Sequence, residues 1–155
     1  WKPLKRWLST RREALVEALG TDLVLFGEWC YAVHSVRYTK LPDWFLAFDV
    51  YDRVNDTFWS ADRRNALVRP LGIETVPEVA RGHQTVESLK ALLQRPSQLV
   101  DDPPEGIYMR REAEGLMRSR AKLVRAEFVQ AIEEHWSRRA LEENQLAEGH
   151  PWRHD

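Results

Sequence analysis

Apolar residues fall at Leu4, Trp7, Leu8, Leu15, Ala18 and Leu19 with basic residues between them, the spacing of one helical face. Thr10 followed by Glu13 makes a capping-box pair, which predicts that a second helical segment starts there. Gly20 is its stop. From Leu23 to Val36 the chain turns to aromatic and β-branched residues, which predicts a strand. Leu41-Pro42-Asp43 breaks it. Trp44 to Tyr51 is almost wholly apolar and reads as a strand buried on both faces. Asn55-Asp56 marks a turn, with Thr57-Phe58-Trp59 as a short return strand. Ser60 caps a helix running to about Arg69, ended by Pro70 and Gly72. Ile73 to Val79 is extended, and Pro77 confines it to an edge. Thr85 caps a further helix through Leu93. Arg95 to Pro104, with three prolines, reads as a loop. Gly106 to Glu112 and Leu116 to Val124 flank Ala113-Glu114-Gly115 and predict a β-hairpin. Phe128, Ile132 and Trp136 recur at i, i+4 and i+8 and predict a final helix. Beyond Arg139 the chain is polar, and a frayed end is expected. The mixture of hairpins and helices predicts an α+β fold, with antiparallel β-sheets and flanking helices.

Composition sharpens this picture in a few places. The length of 155 residues fits one domain, and 43% hydrophobic residues suffice for a core. A net charge of -1 argues against a uniformly basic nucleic-acid coat. Between Gly106 and Arg125, however, six basic residues stand against two acidic ones, and such a patch can bind phosphates on a neutral chain. The single cysteine, Cys30, excludes an internal disulfide, reads as a small core residue, and fits a reducing, cytoplasmic location. No stretch reaches the ~18 apolar residues of a membrane helix. No signal peptide is visible. A chain that opens on Trp1 is expected to belong to a longer product.

Candidate chemistry sits at strand ends. Glu28 follows an apolar run and Gly27, where a ligand or another backbone can approach closely. Asp49 ends a second apolar run, where a buried charge needs a partner. Glu105 stands at the entry to the hairpin. Strand alternation puts Arg118, Arg120, Lys122 and Val124 on one face, and Met117, Ser119, Ala121, Leu123 and Arg125 on the other. Three cations on one face repel unless carboxylates or an anion such as a polyphosphate neutralise them. A solvated charged face is the ordinary alternative. His34, Arg37 and Tyr38 are candidates for holding phosphates, against the plainer reading of a satisfied histidine and a surface arginine. The first helix carries Lys2, Lys5, Arg6, Arg11 and Arg12 and could track nucleic acid, although solvation is the default.

These blocks, in this order, resemble motifs of the RNA ligase group of covalent nucleotidyltransferases. Phe26-Gly27-Glu28-Trp29 resembles motif III, and Trp44 to Asp49, an aromatic run ending Phe-Asp, resembles motif IIIa. Glu105-Gly106-Ile107-Tyr108-Met109-Arg110 resembles motif IV, and Arg120 to Arg125 stands where motif V is expected. The run from Glu28 to Tyr38 is also similar to bacterial and phage-type RNA ligase domains. The likeness covers Lys2 to Trp136. It implies residues 1–136 as an RNA ligase-like nucleotidyltransferase domain and residues 137–155 as a polar tail.

The resemblance implies ATP-dependent joining of RNA ends, a 5′-phosphate and a 3′-hydroxyl, through adenylylated intermediates and with Mg²⁺. On that match Glu28 would hydrogen-bond the ribose, and Phe48 would stack on adenine. Asp49 and Glu105 would bind nucleotide or metal, in part through water. Lys122, helped by Arg120, would contact the α-phosphate. His34, Arg37 and Arg125 would meet RNA or its phosphates. Two departures stand out. The family's nucleophilic lysine lies in a K-x-D/E-G or K-x-x-G motif upstream of motif III, and no such motif is present here. The implied domain therefore lacks its nucleophile and the first strands of its sheet. The motif V pair is either Arg120 with Lys122 or Lys122 with Val124. Only 33 residues follow Lys122, too few for the oligonucleotide-binding barrel of DNA ligases and capping enzymes. The alternative to a ligase domain is a non-catalytic nucleotide- or RNA-binding module derived from the same fold.

Overall fold

Helices and strands form where the periodicity changes. The computed structural model describes residues 2–34, 36–126 and 141–153. In chain order it has α1 (Lys2–Ser9), α2 (Arg12–Leu19), β1 (Leu23–Trp29), β2 (Phe45–Asp52), β3 (Thr57–Phe58), α3 (Ala61–Val68), α4 (Val86–Leu92), β4 (Gly106–Ala113) and β5 (Leu116–Val124). The fold is α+β, as expected, with a three-stranded sheet in the order β1-β2-β3 and a separate β4-β5 hairpin. The chain divides into two units: Trp1–Trp29, Phe45–Val76 and Arg111–Ser119 form one, and Cys30–Trp44, Pro77–Arg110 and Arg120–Asp155 the other.

In the first unit, α1 buries Trp7 against the sheet. Its ring lies 4.9 Å from Phe45 and 6.2 Å from Trp29. The capping-box expectation at Thr10 fails. The residue before α2 is Arg11, and the Thr10 hydroxyl donates back to Trp7 O at 2.9 Å. Thr10 thus closes α1 instead of opening α2, the usual competition between a short hydroxyl side chain's local partners. Gly20, at φ 55°, ends α2 as expected.

β1 and β2 pair antiparallel from Leu23–Asp52 to Trp29–Phe45. The strand expected to reach Val36 stops at Trp29. Cys30 N still donates to Trp44 O at 2.7 Å, but the backbone beyond it finds a different partner in the second unit. Along the far edge of β2, β3 pairs with Tyr51 and Asp52, and residue Thr75 bridges to Ala47 in parallel. Ser60 caps α3 by accepting from Arg63 N. The tip of the hairpin follows its turn chemistry. Glu114 and Gly115 both have positive φ, 54° and 74°, which matches the right-handed twist of the flanking strands.

The second unit buries Leu41, Leu93, Val100, Ile107 and Leu146. Residues 141–153 correct the expectation of fraying. Leu41 bridges to Leu146 and Ala32 to Glu143, and Leu146 is only 1% exposed. A polar stretch stays ordered here because one leucine and one asparagine in it find buried sites. The helix read from Phe128, Ile132 and Trp136 lies outside the described residues.

Candidate functional site

Three of the predicted site residues, Glu28, Phe48 and Asp49, sit on the paired strands β1 and β2. Glu28 is exposed and lies opposite Leu46. The preceding Gly27 is required by space. A Cβ there would stand 2.2 Å from Phe45 Cζ and 2.8 Å from Leu46 O. The Phe-Gly-Glu block is therefore a place where β1 passes directly beneath the Phe45 ring.

The ladder changes step at this point. Phe26 pairs with Asp49 but Gly27 pairs with Ala47, so Phe48 is the extra residue of a β-bulge. Bulges re-aim a side chain and strengthen local twist. Phe48 is half-buried, while Asp49 beside it is 2% exposed. The bulge is held by Arg64, which sequence reasoning missed. Its Nη1 donates to Phe48 O at 2.6 Å, and its Nε and Nη2 donate to Asn65 Oδ1 at 3.0 and 2.8 Å. Arg64 is 5% exposed. It serves the stretch of β2 edge between Val50, whose carbonyl accepts from Trp59 N, and Ala47, which bonds to Glu74 O and from Val76 N. The one available signal was its position four residues after the cap Ser60, a helical turn facing inward.

At the end of β2, Asp52 accepts from the backbone of Val54 and Asn55 and from the Asn55 side chain. Those bonds, the Asn55 side chain first, lower its pKa below the ordinary carboxylate value. Asp52 thus stays ionised as the anchor of the β2–β3 turn, apart from the predicted site residues.

Glu105, Arg120, Lys122 and Arg125 belong to the second unit. Glu105 is half-buried, and its carbonyl accepts from Arg125 N at 2.9 Å. Gly106 is required by space here as well. A Cβ would meet Leu123 O at 2.6 Å and Val124 Cα at 3.2 Å. The start of β4 and the end of β5 are thereby brought into direct register, joining Glu105 to Arg125. Arg120 and Lys122 are exposed on β5. Residues 118–122 are all exposed, so the two faces expected from alternation do not differ in burial there. Arg118 is ion-paired with Glu114, which offsets part of the clustered charge.

His34 and Arg37 are exposed and Tyr38 is half-buried, all in the segment that follows β1. Arg37 pairs with Glu142, and the Tyr31 hydroxyl donates to Glu143. Burial, reinforced by that carboxylate, pushes the Tyr31 phenol up to about 12. Tyr31 therefore remains a protonated donor across the neutral range.

The RNA ligase family model matches residues 1–124, a span that contains both close-approach glycines, the bulge and the hairpin. The chain belongs to the RNA ligase family. No curated protein and no solved structure matches it. The family membership agrees with the resemblance read from the motif blocks. Within this RNA ligase domain, and among the described residues, no three His, Cys, Asp or Glu side chains converge as a metal cage. No described helix is long and apolar enough to cross a membrane.

Proposed function

We propose that this RNA ligase domain acts in ATP-dependent joining of RNA ends. The observation that carries the reading is the family match over residues 1–124, together with glycines 27 and 106 lying where no side chain fits. In this reading Glu28, exposed beside Gly27, accepts from the ribose hydroxyl. Phe48, re-aimed by the bulge, offers its ring to adenine. Lys122 and Arg120 meet the α-phosphate and neutralise charge as the phosphoryl group moves. That is the main work in phosphoryl transfer, where positioning and electrostatics dominate. His34, Arg37 and Arg125 contact RNA or its phosphates.

Mg²⁺ in such sites is held by one or two carboxylates plus substrate oxygens and keeps several waters. Glu105, half-buried at the mouth of the hairpin, fits that demand without a preformed cage. Asp49, almost wholly buried, fits contact through water. When bound, the ion would screen the phosphate oxygens. Glu105 would orient it, and Asp49 would contribute negative charge near the nucleotide.

The 155 residues contain no K-x-D/E-G, so we propose that this stretch binds nucleotide without itself forming lysyl-AMP. Incubation with labelled ATP and Mg²⁺ tests both halves. Reversible binding, weakened by Glu28→Ala, Glu105→Ala and Lys122→Ala, is expected. Acid-labile, alkali-stable label on a lysine would overturn the second half, and unaltered binding in all three variants would overturn the first. The second reading is a non-catalytic nucleotide- or RNA-binding module derived from the same fold. Failure of a folded sample to seal pre-adenylylated RNA would support it.

A further inference from the structure

Tyr31, Val33, Tyr38 and Leu41 are held by a segment more than a hundred positions later. Val33 N donates to Glu142 O at 2.8 Å, and Asn144 N donates to Tyr31 O at 2.9 Å. Leu41 N donates to Gln145 O at 3.1 Å, and Gln145 N donates to Tyr38 O at 2.9 Å. At the centre is Asn144, 4% exposed. Its Nδ2 donates to Cys30 O at 2.9 Å and Ala32 O at 3.0 Å, and its Oδ1 accepts from Tyr38 N at 2.7 Å. One amide side chain thus satisfies three backbone groups of the segment that carries His34 and Arg37. Buried amides of this kind are costly to disturb, so the strap is fixed at Asn144.

Two residues earlier the strap is of a different kind. Glu142 pairs with Arg37 at the surface, with the two side chains 59% and 53% exposed. An exposed ion pair is worth only about 0.2–1 kcal/mol. A guanidinium binds phosphate through the same planar fork it offers a carboxylate. Glu142 therefore occupies Arg37 in the manner a terminal phosphate would, at little energetic advantage.

We propose that Glu142 is an internal competitor for the phosphate of a 5′-phosphorylated RNA end at Arg37, held in place by the Asn144 strap; this rests on the reading of Arg37 as an RNA phosphate contact. The strap brings a carboxylate to the cation, and an incoming phosphate displaces it. Arg37 is kept ordered and neutralised between substrates, and RNA lacking a 5′-phosphate offers only singly charged phosphodiesters, weaker competitors for the guanidinium than a terminal phosphate with close to two charges. The anion site is then selective for the phosphorylated end.

Fluorescence anisotropy with 5′-phosphorylated and 5′-hydroxyl single-stranded RNA of one sequence tests this. Glu142→Ala is expected to tighten binding of the phosphorylated RNA about 1.4- to 5-fold, the range set by an exposed pair. Binding of the hydroxyl RNA should gain less. Glu148→Ala, which removes an equal charge from the same segment, should give no such gain. In Arg37→Gln the gain from Glu142→Ala should vanish, as a coupled pair requires. An equal gain for both RNAs, or a gain that survives in the Arg37→Gln background, would overturn the proposal. If Arg37→Gln binds phosphorylated RNA as tightly as the unaltered chain, the competitor role falls, while nucleotide binding dependent on Glu28 and Glu105 leaves the ligase reading standing. Absence of RNA binding by every variant would overturn both.

Discussion

Gly27 shows how a motif residue is set by a neighbour that is distant in sequence. Its side-chain position is filled by the Phe45 ring and the Leu46 carbonyl. Gly27→Ala must push a ring and a strand apart, and overpacking of this sort costs about 1–3 kcal/mol. A denaturant melt should show that loss, and a midpoint equal to that of the unaltered chain would refute the space argument. The close approach at Gly27 was legible in the sequence, from a glycine that interrupts an apolar run. Which neighbour approaches was not, because the contact with Phe45 depends on a register that changes step at Phe26/Gly27. No local pattern announces such a step. Thr10 misled for a similar reason. Its hydroxyl had two candidate partners, and only the folded chain shows that it takes Trp7 O.

At the level of elements, legibility followed the range of the interaction. The hairpin turn at Glu114-Gly115 and the caps Ser60 and Thr85 were readable, because each is decided within four residues. The end of β1 was not, because it depends on which segment pairs with the backbone beyond Trp29. Arg64 was not readable either. An arginine on a short helix with few apolar residues reads as solvent-facing, yet it is buried and bonded to the bulge at Phe48. That bond makes a prediction about α3 and β2 together. Arg64→Met keeps the bulk but leaves the Phe48 carbonyl without its donor. The expected loss is about 1–3 kcal/mol, the cost of an unsatisfied buried polar group. Nucleotide affinity should fall more in Arg64→Met than in a helix-cap variant such as Ser60→Ala. Equal affinity in the two would separate the bulge from the nucleotide site.

For the whole molecule, the span matched by the family ends at residue 124, but the buried structure does not. Leu146 and Asn144 are 1% and 4% exposed; Leu146 bridges to Leu41, and Asn144 bonds the backbone of Cys30, Ala32 and Tyr38. A chain cut after Val124 should therefore retain the β1-β2 ladder and lose order in the 31–41 segment. Amide hydrogen exchange checks this at Val33 and Leu41, whose N–H groups are bonded to Glu142 and Gln145 carbonyls. Exchange there should accelerate toward the rate of an open chain, with much less change in β2. Protection that persists after truncation would mean that the strap is dispensable. Hydrophobic periodicity could not reveal the strap, because asparagine and glutamate on a polar stretch carry the signature of solvated chain.

Cys30 gives the strap a clock. It is the chain's one cysteine, it is buried at 6% exposure, and its carbonyl is a partner of Asn144. A thiol reacts only when reagent can reach it, so labelling must wait for the ladder around residues 30–32 to open. In the fast-closing limit the ratio of the observed rate to that of an unfolded peptide is the equilibrium constant for that opening. The sulfur thus turns a static set of hydrogen bonds into a measurable opening equilibrium, with no foreign probe introduced.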